Sequence, residues 1–297
     1  MAEQSVAVIG LGAMGYGIAQ SCLRAGLTTW GRDLDAAAIA RLSDEGGQRG
    51  DVPWGALSAV VVVVLNAEQL DTVLFGADGA VPKLTEGAVV LACPTIPPET
   101  ARRLAAHCAT FGVHYLDAPI SGGAAKAAEG ALSVMASGTM EAFAAAQPVL
   151  DAVAATVFEL GDSAGAGSAM KATNQLLAGI HIAAMGEALT FGLSQGIAPE
   201  RFLEVISQCA GTSWMLENRA PHIVAGDYTP LSQINIWPKD LGIVQAIAEG
   251  AGLETPIAAT ALSQYRKAVE MGLGGEDDAA IAKVYARQAG LSLPGET

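Results

Sequence analysis

A doubly wound parallel α/β domain followed by an all-helical domain is the fold this 297-residue sequence predicts. Three observations carry that prediction. Short β-branched runs alternate with helix-like segments through the first half of the chain. The run at 59–65, AVVVVVL, is apolar on both faces, as a central parallel strand must be when helices cover both sides. After Gly161 the strand-like runs nearly cease.

Taken in order, residues 5–9 read as a buried strand, and 13–25 as a helix that ends at Gly26. Residues 27–30 form a second strand and 34–42 a second helix. The valine run follows, then strands at 88–92 and 114–116 with a helix over 98–110 between them. The Gly- and Ser-rich stretch GDSAGAGSAM marks the domain boundary near 161–163. Beyond it, 168–193 forms one helix of about 40 Å at 1.5 Å per residue. Helices at 199–209, 239–250, 256–271 and 277–289 complete the second domain. The expected domains are therefore 1–162 and 163–297.

Composition narrows the function classes. With 51% hydrophobic and 15% charged residues the chain is globular. Thirty acidic residues against 16 basic give a net charge of −14. Phosphate backbones and anionic membrane surfaces repel such a chain, so neither nucleic acid nor membrane is expected as a partner. The four cysteines show no CxxC pairing and the four histidines no HExxH spacing, so no metal site is expected. No apolar run reaches the ~18 residues of a membrane span. The start, acidic at Glu3, lacks the basic region of a signal peptide. A cytoplasmic, soluble protein is the simplest expectation.

Gly10, Leu11, Gly12, Ala13, Met14 and Gly15 spell GLGAMG. The glycine triplet alone says little in a chain with 35 glycines, but it directly follows an apolar strand and opens a helix. In that place glycines permit a tight turn and close approach of a pyrophosphate to helix N-terminal N–H groups. Asp33, at the end of the second strand, suits a ribose 2′-OH and favours NAD, whereas Arg32 beside it suits the 2′-phosphate of NADP. The turn Ser121-Gly122-Gly123 can aim backbone N–H groups and a hydroxyl at one point, which suits a carboxylate, or it is an ordinary turn before a helix. Lys171 lies in the first turns of the long helix, where the macrodipole disfavours a cation. The segment after it, 172–186, carries no charge and should be mostly buried. A catalytic lysine gains from such a setting through a lowered pKa; a lysine whose stem covers apolar surface is the alternative. Asn174 and Gln175 share its helix face. Lys239, beside Asp240, reads from the residues alone as half of a surface ion pair.

Together, GLGAMG at 10–15, DAPISGG at 117–123, GAGSAMKATNQ at 165–175 and KDLG at 239–242 resemble the β-hydroxyacid dehydrogenase family, whose members include 3-hydroxyisobutyrate dehydrogenase and tartronate semialdehyde reductase. The resemblance runs from end to end, with the four motifs in the family's order. DAPISGGAAKAAEG, HIAAMGEAL, GTSWMLENR and GDYTP look most like its L-threonate dehydrogenase branch. The resemblance implies a Rossmann-type, dinucleotide-binding N-terminal domain and a helical domain for substrate and oligomerisation, as a homodimer or homotetramer. It implies Lys171 as catalytic acid/base, with Asn174 orienting substrate and lysine. Ser121, Gly122 and Gly123 would grip the substrate carboxylate. Asn66 and Thr95 match cofactor-contacting positions, and Lys239 the lysine at the cofactor–substrate junction. In some relatives the active-site asparagine stands four residues after the lysine, where this chain has Gln175.

The expected activity is NAD-dependent oxidation of a short polar hydroxy acid, L-threonate first, with NADP the other cofactor. A 3-hydroxyisobutyrate or tartronate semialdehyde enzyme is the rival within the family. A non-catalytic NAD-binding regulator is the rival of another class, and the presence of Lys171 argues against it.

Overall fold

The computed structural model describes residues 4–296; the acidic start at Glu3 lies outside them. The chain divides into two compact units, Met1–Lys171 and Ala172–Thr297.

The first unit opens with β1 (Ser5–Ile9), α1 (Ala13–Arg24), β2 (Thr28–Arg32), α2 (Ala36–Asp44), β3 (Ala59–Val62), α3 (Ala67–Phe75), β4 (Val89–Ala92), α4 (Pro98–Ala109) and β5 (His114–Asp117). The five strands are parallel, in the order β2-β1-β3-β4-β5. Alternate side chains enter two different cores. Val6, Val8, Val61 and Leu91 pack on one face. Ala7, Ile9, Val60, Val62 and Val90 pack on the other. That two-sided burial is why the strands read as unbroken apolar runs. The valine run ends its ladder at Val62 rather than at residue 65, because its partner β1 ends at Ile9, where the chain turns away into the glycine loop.

Between residues 120 and 159 the chain builds a second, smaller sheet that the sequence pattern did not reveal. It comprises β6 (Ile120–Ser121), β7 (Leu132–Ala136) and β8 (Ala154–Glu159), with α5 (Gly123–Glu129) and α6 (Met140–Val153) between them. β7 runs antiparallel to β6 and parallel to β8. The segment is alanine-rich, so its strands carry little β-branched signal.

Helix α7 (Ala166–Ser194) begins in the first unit and continues into the second. The second unit adds α8 (Pro199–Ile206), α9 (Trp214–Ala225), α10 (Ile236–Gly250), α11 (Pro256–Glu270) and α12 (Ala282–Gln288). Helix α9 was not expected, since Pro221 sits inside it; the Ser213 hydroxyl caps it by accepting from Leu216 N–H at 3.1 Å. Ile182, Met185, Leu189, Trp237, Leu241, Leu262 and Tyr265 form this unit's core. The expected burial of 172–186 holds in part only: Leu177 is 51% exposed. Among the described residues α7 is the one helix long and apolar enough by length and composition to cross a membrane, although Asn174, Gln175, His181 and Glu187 interrupt it. Its Ile182, Met185 and Leu189 pack in the core of the second unit.

Burial sorts the four cysteines. The thiols of Cys22, Cys93 and Cys108 are buried, and desolvation pushes each up to about 12, whereas Cys209 is exposed. A thiol-disulfide dye at pH 8 is therefore expected to titrate one thiol rapidly in the native protein and four in denaturant. Fast native labelling of a second thiol would contradict this packing.

Candidate active site

All five parallel strands end at one edge of the sheet, and most of the first unit's candidate residues follow those ends. The glycine loop follows β1, Arg32 ends β2 and Asp33 comes next, Asn66 lies four residues past β3, and Thr95 three past β4. Ser121–Gly123 follow β5. The strand order reverses between β1 and β3, so the glycine loop sits at the switch point where open α/β sheets bind ligands.

The loop's shape fits a dinucleotide. Gly10 has φ +91°, and a side chain there would run into the Val63 carbonyl; one at Gly15 would run into the Gly10 carbonyl. Those two glycines let the turn close on itself. Gly12 differs: a Cβ there would meet nothing within 4 Å, so its open side faces space a ligand can fill. Helix α1 starts there without a side-chain cap, an arrangement that suits an anion at its first N–H groups. The Asp33 carboxylate is tied to the same loop: Oδ2 accepts from Leu11 N–H at 2.5 Å and Oδ1 from Asp35 N–H at 2.8 Å. Arg32 turns elsewhere, its guanidinium 5.4 Å from the centre of the Trp54 ring. Asn66 caps α3, its side chain accepting from Gln69 N–H at 2.8 Å.

The Ser-Gly-Gly turn takes its conformation from its glycines, with φ +136° at Gly122 and +78° at Gly123. Helix α5 behind it is locked to α1. A Cβ on Gly17 would sit 2.6 Å from Ala128 N, and the Ser21 hydroxyl donates to the Ala127 carbonyl at 2.8 Å. The helix behind the glycine loop and the helix behind the Ser-Gly-Gly turn are thus packed backbone to backbone. Gly17 carries no signal in the sequence, because its importance comes from a neighbour more than a hundred residues away.

Asp117, the last residue of β5, is fully buried. Its Oδ2 accepts from the N–H groups of Gly165 and Ser168, each at 2.9 Å. Oδ1 accepts from the Ser168 hydroxyl at 2.7 Å. Desolvation raises its pKa, and the bonds from Ser168 and Gly165 oppose that rise. A carboxylate at this point complements the positive end of the α7 dipole and fixes the start of the helix that carries Lys171. The macrodipole that Lys171 faces therefore has a buried counter-charge at its origin, which spacing alone did not reveal.

In the second unit the candidates form a chain of polar contacts. Asn174 Nδ2 donates to Gln175 Oε1 at 2.9 Å, and Gln175 Nε2 donates to Asp240 Oδ2 at 2.5 Å. Lys239 Nζ lies 2.7 Å from Asp240 Oδ1. Asp240 is 1% exposed, so Lys239–Asp240 is not the surface pair that the residues alone suggested. No cluster of potential metal ligands occurs among the described residues.

An uncapped glycine loop at the switch point of a parallel sheet, with an acid bonded to it, fits a nicotinamide-dependent oxidoreductase acting on a CH–OH group. The comparisons with known proteins agree. Residues 5–161 match the family described as the NAD binding domain of 6-phosphogluconate dehydrogenase. Residues 165–285 match that described as NAD-binding of NADP-dependent 3-hydroxyisobutyrate dehydrogenase. The chain is 45% identical over 297 residues to an L-threonate dehydrogenase of Cupriavidus necator, covering 99% of each chain. It is 44% identical to an L-threonate dehydrogenase of Escherichia coli strain K12, covering 99% of this chain and 97% of that one. A crystal structure from Salmonella typhimurium, named as 3-hydroxyisobutyrate dehydrogenase, superposes with a TM-score of 0.90 at 44% identity, covering 95% of this chain and 99% of that one. The chain belongs to the β-hydroxyacid dehydrogenase family.

Replacing Asp117 with alanine strands the N–H groups of Gly165 and Ser168 in a buried setting. A stability loss of about 3 kcal/mol is expected in urea unfolding. Unchanged stability would show that α7 is held by other means.

Proposed function

We propose that this enzyme oxidises L-threonate to its 2-oxo acid, with NAD as oxidant. Full-length likeness to chains named L-threonate dehydrogenase carries the choice of substrate. Lys171, on a helix whose start is held by Asp117, carries the choice of chemistry. Ser121, Gly122 and Gly123 hold the substrate carboxylate through N–H groups and a hydroxyl, a local site that overrides the net charge of −14. Neutral Lys171 accepts the proton of the 2-hydroxyl as the C2–H bond breaks, and its ammonium returns that proton in the reverse reaction. NAD, when bound, would supply the acceptor for the hydride of the C2–H bond. Gly10–Gly15 would hold its pyrophosphate and Asp33 its ribose, and Asn66, Thr95 and Lys239 would complete the cofactor contacts. Asn174 orients lysine and substrate. The enzyme works in the cytoplasm as a homodimer or homotetramer, with the helical unit contributing to assembly.

The name carried by the Salmonella typhimurium structure favours a second reading, oxidation of 3-hydroxyisobutyrate. Absorbance at 340 nm with NAD and, separately, L-threonate, D-threonate, 3-hydroxyisobutyrate and glycerate separates the two. NADH formation with L-threonate alone is expected; activity with 3-hydroxyisobutyrate alone keeps the family and overturns the substrate.

Lys171→Ala is expected to lower kcat by about 10²–10⁴-fold while NAD still binds, as followed by fluorescence titration. A variant that turns over normally refutes Lys171 as the base. A negative carboxylate at the rim of the loop repels a 2′-phosphate, so Asp33→Ala should raise kcat/KM with NADP relative to NAD by at least about tenfold, a ~1.4 kcal/mol change. An unchanged ratio would remove Asp33 from cofactor choice.

A further inference from the structure

The polar chain from Lys239 to Asn174 has a direction that its chemistry imposes. Helices α7 and α10 approach closely at Gly179, where an added Cβ would lie 3.0 Å from the side chains of both Trp237 and Leu241. One turn earlier on the same face of α7, Gln175 meets Asp240. Gln175 is only 8% exposed and Asp240 1%, so this contact is withdrawn from water.

An ionised carboxylate can only accept hydrogen bonds, whereas a side-chain amide can present either its oxygen or its NH₂. Asp240, opposite Lys239 at 2.7 Å, therefore obliges Gln175 to turn its NH₂ inward. The Gln175 oxygen then faces the other way and accepts from Asn174 Nδ2. Asn174 in turn must direct its carbonyl oxygen away from Gln175. Each amide's orientation, ordinarily ambiguous, is settled by the acid at the end of the chain.

We propose that Asp240 is a positioning residue for the reaction: acting through Gln175, it sets the polarity of Asn174 so that an acceptor oxygen, not an NH₂ group, is presented on the helix face that also carries Lys171. The proposal rests on the dehydrogenase reading with Lys171 as base. A neutral lysine amine has two N–H bonds and one lone pair. An acceptor on that face engages an N–H bond and leaves the lone pair for the substrate hydroxyl. A reversed Asn174 would donate to the lone pair and quench the base. Gln175 is thus the buried prop of the amide pair and Asn174 the member that meets the reaction. Lys239, besides its place at the cofactor junction, supplies the positive charge that faces Asp240.

The test compares wild type with Asp240→Asn and with the double variant Asp240→Asn, Gln175→Glu. In the single variant the new amide at position 240 can accept or donate, so the chain loses its direction; kcat for the hydroxy acid is expected to fall at least tenfold, with the substrate KM within about threefold. In the double variant the new carboxylate at position 175 again offers only acceptors to Asn174, while the amide NH₂ at position 240 donates to its other oxygen, so most of the lost kcat should return. A mere packing defect would be worsened by the second change. A wild-type kcat in Asp240→Asn, or a double variant as slow as the single, overturns the proposal. Should Asp240→Asn fail to fold, Gln175→Met removes the relay at similar volume; a tenfold loss of kcat supports the proposal and a wild-type kcat overturns it. A readout independent of turnover is the side-chain ¹⁵NH₂ resonance of Asn174, assigned by its loss in Asn174→Ala. It should report a hydrogen-bonded amide in wild type and the double variant and shift in Asp240→Asn; an unmoved resonance overturns the relay. A wild type that oxidises none of the acids sinks the dehydrogenase reading alone, since the resonance still decides the polarity.

Discussion

The buried carboxylate of Asp117 joins the last strand of the parallel sheet to the first turn of the longest helix. Three elements depend on that junction. β5 must end where it does to place the acid, α7 must start where it does to reach it, and the chain between 118 and 164 must leave and return to the same point. Such a group is costly to bury alone, and its four hydrogen bonds from Gly165, Ser168 and Ser137 make the burial tolerable only when all are present. The same bonds make the geometry specific. A carboxylate that accepts from two backbone N–H groups and a hydroxyl fixes the helix origin in position and rotation, and with it the direction in which Lys171 leaves the helix six residues in.

Close backbone approach does the corresponding work on the opposite side of the glycine loop. Gly17 lets α1 lie against α5, so the loop that opens α1 and the Ser-Gly-Gly turn that opens α5 are positioned by one contact rather than by two flexible linkers. Pre-organised N–H groups suit this role, because they stabilise anionic groups without reorganising when a ligand arrives. Asp33 belongs to the same construction: its bond to Leu11 N–H makes the acid part of the loop. Oriented N–H groups of this kind give a chain of net charge −14 a local field opposite in sign to its global one.

Much of the architecture was legible in the residues because parallel sheets advertise themselves. Strands covered on both faces must be apolar at every position, and AVVVVVL and SVAVI could scarcely have been anything else. The glycine loop was equally legible, since its three glycines stand immediately after one such strand. The small sheet of β6, β7 and β8 was not: its strands are partly exposed and interrupted by alanine-rich helices, and neither period dominates. Helix α9 was hidden by Pro221, whose disruptive effect the surrounding packing overrides.

The sequence by itself determined the class of fold, the cofactor loop, and which lysine to suspect, because each is written in local periodicity or in the spacing of a short motif. Tertiary structure alone decided that Asp117 anchors α7, that Gly17 is a point of contact, and that Asp240 is buried against Gln175. Each of those facts depends on a partner 48 to 111 residues away, through Gly165, Ala128 and Gln175. A buried acid and a solvated one are the same letter; only packing removes the water that makes one a surface charge and the other a constraint.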